Sequence, residues 1–273
     1  MAKAFVDTTV LTNILLKSSD VSGKDAKALV ARYRESELPV YAIKEFKSGP
    51  LRNFAWMHNK LAGTKSFFQA IAALQKMSLT PRRYTTATAL EALREATRKL
   101  MKPQTAADLA AQYGDSGSLD LFLCDQFQNA LKASIYRAWN RRRQITTAVV
   151  GPLNCYQEAP PVEERGQIEL NPVKCHPSSE CCLADQLRRM ISDINKLRDT
   201  LGEQPTKREN EKRAQALRSI ARTPKRKFTE EMCRNLGDAY FVLFAPEGAT
   251  ILTTNSKDIG PLASVLNKST EVP

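Results

Sequence analysis

The feature that most constrains this chain is a pair of short apolar runs at its opposite ends. Ala4-Phe5-Val6 is closed by Asp7, and Ala249-Thr250-Ile251-Leu252-Thr253-Thr254 follows the helix stop Pro246-Glu247-Gly248. Both are too short for core helices, and the second is β-branched, as suits a buried parallel strand. Each has a helical partner in sequence. Thr8–Leu16 begins a helix directly after Asp7. Thr229, with Glu230 and Glu231 behind it, reads as the capped start of a helix running to about Ala245. Parallel strands need crossover helices between them. The two ends therefore predict one α/β sheet built from both termini, which commonly meet in space. Three unrelated segments are the rival reading.

The residues between have a different texture. Residues 24–36 carry Ala26, Leu29, Val30 and Tyr33 at helical spacing, and the apolar Pro39–Ile43 is a second strand or the entry to a helix. Segments near 66–77, 86–101, 105–113 and 119–142 predict helices. Five of the 14 prolines fall within 151–180, which marks a loop-rich connector. Residues 183–201 form one amphipathic stripe of Leu183, Leu187, Ile191, Ile194, Leu197 and Leu201. The division is an α/β domain from 1–50 and 225–273, with a mainly helical basic insertion at 51–224 and a Pro/Cys-rich loop at 151–182.

Charge narrows the partners. Lys and Arg number 41 against 29 acids, a net charge of +12 in 273 residues, and a polyanion is the natural counterpart. No apolar stretch approaches a membrane span, so no membrane partner is expected. The first residues do not read as an export signal, which makes the cytoplasm the default location and a framework from the six cysteines improbable.

Four acids stand where an open parallel sheet gathers ligands, beyond the carboxyl ends of its strands. Asp7 closes the first strand and Glu45 follows the second apolar segment. Asp238 lies in the helix before the last strand, and Asp258 lies just past that strand. Clustered carboxylates raise one another's pKa, and a hard divalent ion such as Mg²⁺ relieves the repulsion. Near a phosphodiester, such ions activate water and stabilise the leaving oxygen. Taken singly, each acid has an ordinary alternative as a helix cap, a solvated surface group or a turn residue.

These segments resemble the PIN-domain ribonuclease family. Ala4–Asn13 is similar to its opening strand and aspartate, and Val40–Gly49 to the region of its second acid. Gly237–Ala245 followed by Gly248–Ile259 looks like its third acid, buried strand and terminal polar turn. The likeness covers about 50 residues at the start and 45 at the end. It implies a compact parallel sheet flanked by helices and hydrolysis of RNA with Mg²⁺ or Mn²⁺. Carried over, Asp7, Glu45, Asp238 and Asp258 would be the catalytic metal ligands, with Thr8 and Asn255 hydrogen-bonding behind them. Two departures stand out. Asn255 occupies a place where many members have aspartate, and 192 residues separate Glu45 from Asp238. The family includes toxins restrained by other proteins, which implies a toxin or defence effector with an inhibitory or regulatory protein partner as one role.

Two basic clusters would meet nucleic acid. Residues 207–227 hold nine Lys or Arg against two Glu, ending in Lys225-Arg226-Lys227. Arg141-Arg142-Arg143 lies beside Trp139 and Tyr136, a combination suited to unpaired bases. Solvated helix faces or internal ion pairs are the plain alternatives. Cys175-His176 and Cys181-Cys182, with Cys155 upstream, lack the spacing of paired zinc knuckles, so structural Zn²⁺ is weighed behind packed or reactive thiols. His58 shows no partner. The expectation is a metal-dependent endoribonuclease acting on RNA, with DNA not excluded. The alternative is a catalytically inactive PIN-like protein that binds RNA or serves as a scaffold.

Overall fold

A computed structural model describes residues 3–18, 20–78, 90, 93–94, 111, 116–151, 153, 158–171, 182–203, 208–222 and 229–273. Its centre is a five-stranded parallel sheet of β1 (Lys3–Val6), β2 (Glu35–Pro39), β3 (Ala148–Val150), β6 (Ala249–Leu252) and β7 (Ser269–Glu271), in the order β3-β2-β1-β6-β7. The fold is α/β, and the two ends of the chain do meet. Phe5 stands opposite Glu37 on one side and Ile251 on the other, and Asp7 N–H extends the ladder to Leu252 O at 3.0 Å. Ala4, Phe5 and Val6 are buried, as a central strand covered on both faces must be.

Helix α1 (Thr8–Leu16) leaves β1 directly, and α2 (Val21–Ala31) packs on it before the chain enters β2. The apolar run after Pro39 resolves as the helix entry. Pro39 is extended, at φ −69° and ψ 142°, and α3 (Val40–Phe46) starts at the next residue. The strand is the segment before it, where Glu35 and Glu37 obscure the alternation while Ser36 and Leu38 are buried. Pro50 sits in a π-helical turn, Lys47–Leu51, that joins α3 to α4 (Arg52–Thr64). A ring without an N–H disrupts the preceding hydrogen-bond ladder, and the wider turn absorbs it.

The sheet takes its edge strand β3 from the segment read as an insertion. Ser36 N–H donates to Thr147 Oγ1 at 2.9 Å, and that hydroxyl donates to Ser36 O at 2.8 Å, which docks β3 on β2. Helix α5 (Phe67–Ser78) and the long helix Ser116–Arg141 pack around α4. A separate hairpin, β4 (Val162–Glu164) and β5 (Gln167–Glu169), turns at Arg165 and Gly166, both with positive φ.

Farther on, the stripe over 183–201 is divided between Cys182–Arg188 and Ile191–Glu203. Ile191–Glu203 packs on both Arg208–Arg222 and the C-terminal helix Ser256–Val265, so this part of the central segment is seated on the α/β domain. The helix expected over 229–245 is also two, Glu230–Asn235 and Gly237–Phe244. Leu236, at φ −92° and ψ −4°, makes the joint. Thr229 caps the first, its Oγ1 accepting from Met232 N–H at 3.2 Å. The helices expected over 86–101 and 105–113 lie almost wholly outside the described residues. No helix among the described residues is long and apolar enough to cross a membrane.

Candidate active site

The carboxyl ends of β1, β2 and β6 share one edge of the sheet because the strands are parallel. Asp7 follows β1 there, and its side chain is only 3% exposed. Its Oδ2 accepts from Thr9 Oγ1 at 2.7 Å and from Thr253 Oγ1, just past β6, at 2.6 Å. Thr254 N–H donates to Thr9 Oγ1 at 3.0 Å, which ties the two strand ends together a second time.

Glu45 comes one helical turn into α3. Thr8 Oγ1 donates to its Oε2 at 2.6 Å. Thr8 thus anchors that carboxylate directly. The other side of Glu45 is set by aromatic packing. Tyr41 stacks on Tyr240 with centroids 4.3 Å apart and meets Phe241 edge-on at 5.9 Å. Its hydroxyl donates to Cys233 O at 2.8 Å. These contacts clamp α3 against Gly237–Phe244 so closely that a Cβ on Gly237 would lie 2.7 Å from Glu45 Oε1. Only glycine leaves that carboxylate its place.

Asp238 follows in the first turn of the same helix, where the dipole favours an acid. Asn255 Nδ2 donates to Asp238 Oδ1 at 3.4 Å, and Arg213 Nη2 lies 2.5 Å from Asp238 Oδ2. The same guanidinium reaches Asp258 Oδ2 at 3.4 Å. Asp258 stands in the first turn of Ser256–Val265.

Burial and neighbouring charges both act on these acids. Burial is the main cause that holds Glu45 up to about 8, and the charges of Asp7 and Asp238 add to it. Burial also raises Asp238 to about 6, opposed by Arg213 and reinforced by Asp7 and Asp258. Asp7 is raised by burial against the pull of Thr253 and Thr9. Through Thr8, Thr253, Asn255 and Arg213 the four acids are linked by one chain of side-chain and backbone contacts, with Thr8 and Asn255 touching two of them. As they stand, no three His, Cys, Asp or Glu side chains among the described residues are arranged to hold one ion. By donor chemistry the set suits a hard divalent ion: carboxylate oxygens from a buried Asp7 and from partly buried Glu45, Asp238 and Asp258, whose mutual repulsion Arg213 relieves only in part.

The basic residues fare differently. Arg142 lies over the Trp139 ring at 3.6 Å from its centroid and pairs with Glu158. Arg143 Nε donates to Glu158 Oε1 at 2.8 Å, and Arg141 is exposed. Trp139 is itself buried, with Lys47 Nζ 5.1 Å from its centroid, so its face is covered from within the fold. Lys225, Arg226 and Lys227 lie outside the described residues, as do Cys155, Cys175, His176 and Cys181. His58 is buried and its Nδ1 faces Asn59 Oδ1 at 3.1 Å.

Sequence reasoning missed Thr9, Thr253, Gly237 and Arg213. The threonines flank strand ends already singled out, and a hydroxyl two residues past Asp7 was a usable signal. Nothing separated Arg213 from the other cations of its cluster. Comparison of the chain with protein-family models, curated proteins and solved structures finds no match.

Proposed function

We propose that the chain is a PIN-like endoribonuclease that hydrolyses RNA phosphodiester bonds with Mg²⁺ or Mn²⁺. What supports this reading is the chain of contacts through Thr8, Thr253, Asn255 and Arg213 that links Asp7, Glu45, Asp238 and Asp258, drawn from four separate elements, beyond the carboxyl ends of β1 and β6. When bound, the divalent ion supplies a lowered pKa for attacking water and charge compensation for the phosphate. The chain's own contribution is positional. Thr8 holds Glu45, Thr9 and Thr253 hold Asp7, and Asn255 meets Asp238. Carboxylates restrained in this way keep their geometry as charge changes around them. The net charge of +12 favours a polyanionic substrate and steers it to the protein in a salt-sensitive manner. A toxin or defence effector with a restraining protein partner is one role that the family resemblance supports.

A second reading is a PIN-like RNA-binding or scaffold protein without catalysis. Asn255 favours it, standing beside Asp238 where a further acid would strengthen metal binding.

Incubation of the purified chain with RNA and with single-stranded DNA, in Mn²⁺ or in EDTA, beside Asp7→Asn, tests the proposal. Cleavage that needs both the metal and Asp7 supports the enzyme, and the two substrates report sugar preference. Salt-sensitive binding without cleavage supports the scaffold. Cleavage indifferent to EDTA and to Asp7→Asn overturns the assignment of these acids.

A further inference from the structure

The helix Arg208–Arg222 is strongly basic, yet it does not turn all of its cations to solvent. Asn210, Ala214, Leu217 and Ile220 form its buried stripe at helical spacing, and Arg213 lies beside that stripe with a side chain only 17% exposed. Its Nη1 donates to Asn210 Oδ1 at 3.3 Å on the same helix. Its Nη2 lies 2.5 Å from Asp238 Oδ2 and 3.4 Å from Asp258 Oδ2. Lys212, the preceding residue, instead pairs with Glu231 at the surface.

A divalent ion held by Asp238 and Asp258 would compete with this guanidinium for their Oδ2 atoms. Two cations at those atoms would repel each other strongly in a partly buried site, so each weakens the other's hold. A single positive charge also compensates four acids less completely than a divalent ion does. Arg213 thus engages one oxygen of each of Asp238 and Asp258.

We propose that Arg213 is an intramolecular competitor for the divalent ion, so that the seating of the helix Arg208–Arg222 sets how tightly the acid cluster takes metal. This rests on the acids being the ion site proposed above. Metal entry draws Arg213 off Asp238 and Asp258. The central segment thereby controls the α/β domain through one side chain.

Calorimetric titration of the full chain with Mn²⁺ at fixed pH tests this, using wild type, Arg213→Gln, Arg213→Lys, Lys212→Gln and Asp7→Asn. A charge-assisted pair must be broken for metal to enter wild type, so Arg213→Gln should bind Mn²⁺ about tenfold more tightly. Arg213→Lys, with a charge but no planar fork, should fall between, and Lys212→Gln should match wild type. If Arg213→Gln does not fold, the Arg213→Lys shift carries the test. Mn²⁺ should also raise the melting temperature of the Arg213 variants more than that of wild type. Equal or weaker binding by both Arg213 variants, with Asp7→Asn still abolishing it, would overturn the competitor and leave the ion site standing. Absence of Mn²⁺ binding in every protein would overturn both.

Discussion

Thr253 Oγ1 donates to Asp7 Oδ2 at 2.6 Å across 246 positions of the chain. That hydroxyl also accepts from Asn255 N–H at 2.9 Å, so one threonine orients an acid and shapes the turn that presents Asn255. Thr253→Val removes both bonds at nearly constant volume. Metal-dependent RNA cleavage should fall by roughly 10–100-fold, the usual effect of losing a partner behind a ligand. Thr253→Ser should retain most activity. Steady-state kinetics beside circular dichroism checks this, and full activity in a folded Thr253→Val protein would remove Thr253 from the site.

Gly237 gives Glu45 its room. An added Cβ would sit 2.7 Å from Glu45 Oε1 and 3.4 Å from the Tyr41 hydroxyl. The carboxylate is the far end of a flexible side chain, so Gly237→Ala should displace it rather than unfold the helix. Alanine also favours helix over glycine by about 1 kcal/mol, which offsets the crowding. The expected outcome is cleavage reduced on the order of tenfold or more with melting temperature nearly unchanged. Parallel loss of both would mean that the backbone moves instead.

Protonation of the acids couples stability to pH. Glu45 is held up to about 8 from an ordinary 4.5, and Asp238 to about 6 from 3.8. Between those limits the folded protein binds more protons than the unfolded chain, so stability falls as pH rises. Without divalent metal, the melting temperature should decline from about pH 5 to about pH 8 through these two groups. Glu45→Gln should flatten the upper part of that decline, and saturating Mn²⁺ should oppose it because the ion favours ionised ligands. Melts across pH that rise toward 8 in the metal-free protein would contradict the assignment.

Lys268 closes the helix that carries Asp238. Its Nζ donates to Val242 O at 2.7 Å and to Ala245 O at 2.6 Å, carbonyls at that helix's C-terminal end. Burial holds its pKa below the usual lysine value, but the carbonyls accept from its ammonium group. Lys268→Met keeps the stem and removes the donor. It should cost about 1–3 kcal/mol in denaturant unfolding, since the stranded carbonyls lose a charged partner. A change below a few tenths would show that water replaces it.

The strands of the α/β domain were legible where their chemistry was local. Ala4–Val6 and Ala249–Leu252 are short, apolar and bounded by stops, so they read correctly. Strand β2 did not, because Glu35 and Glu37 face outward on a strand that buries only Ser36, Leu38 and Pro39. Strand β7, Ser269–Glu271, is three polar residues whose strand character comes from pairing with β6. Strand β3 depends on the Thr147–Ser36 exchange, a contact between residues 111 apart. The positions of the four acids were legible because each lies in or just past a recognisable element. Arg213 was not, because only tertiary packing aims one cation of a basic helix inward.

The topology also dictates when the four acids can first be assembled during translation. Strand β1 is the middle of the sheet, but its neighbour β6 is synthesised more than two hundred residues later. At roughly 5–20 residues per second, a ribosome spends on the order of ten seconds or more between Asp7 and Asp258. Until Asp238 and Asp258 emerge, the nascent polypeptide holds only two of the four candidate acids, Asp7 and Glu45. Any premature termination ahead of Gly237 would release a fragment with Asp7 and Glu45 alone.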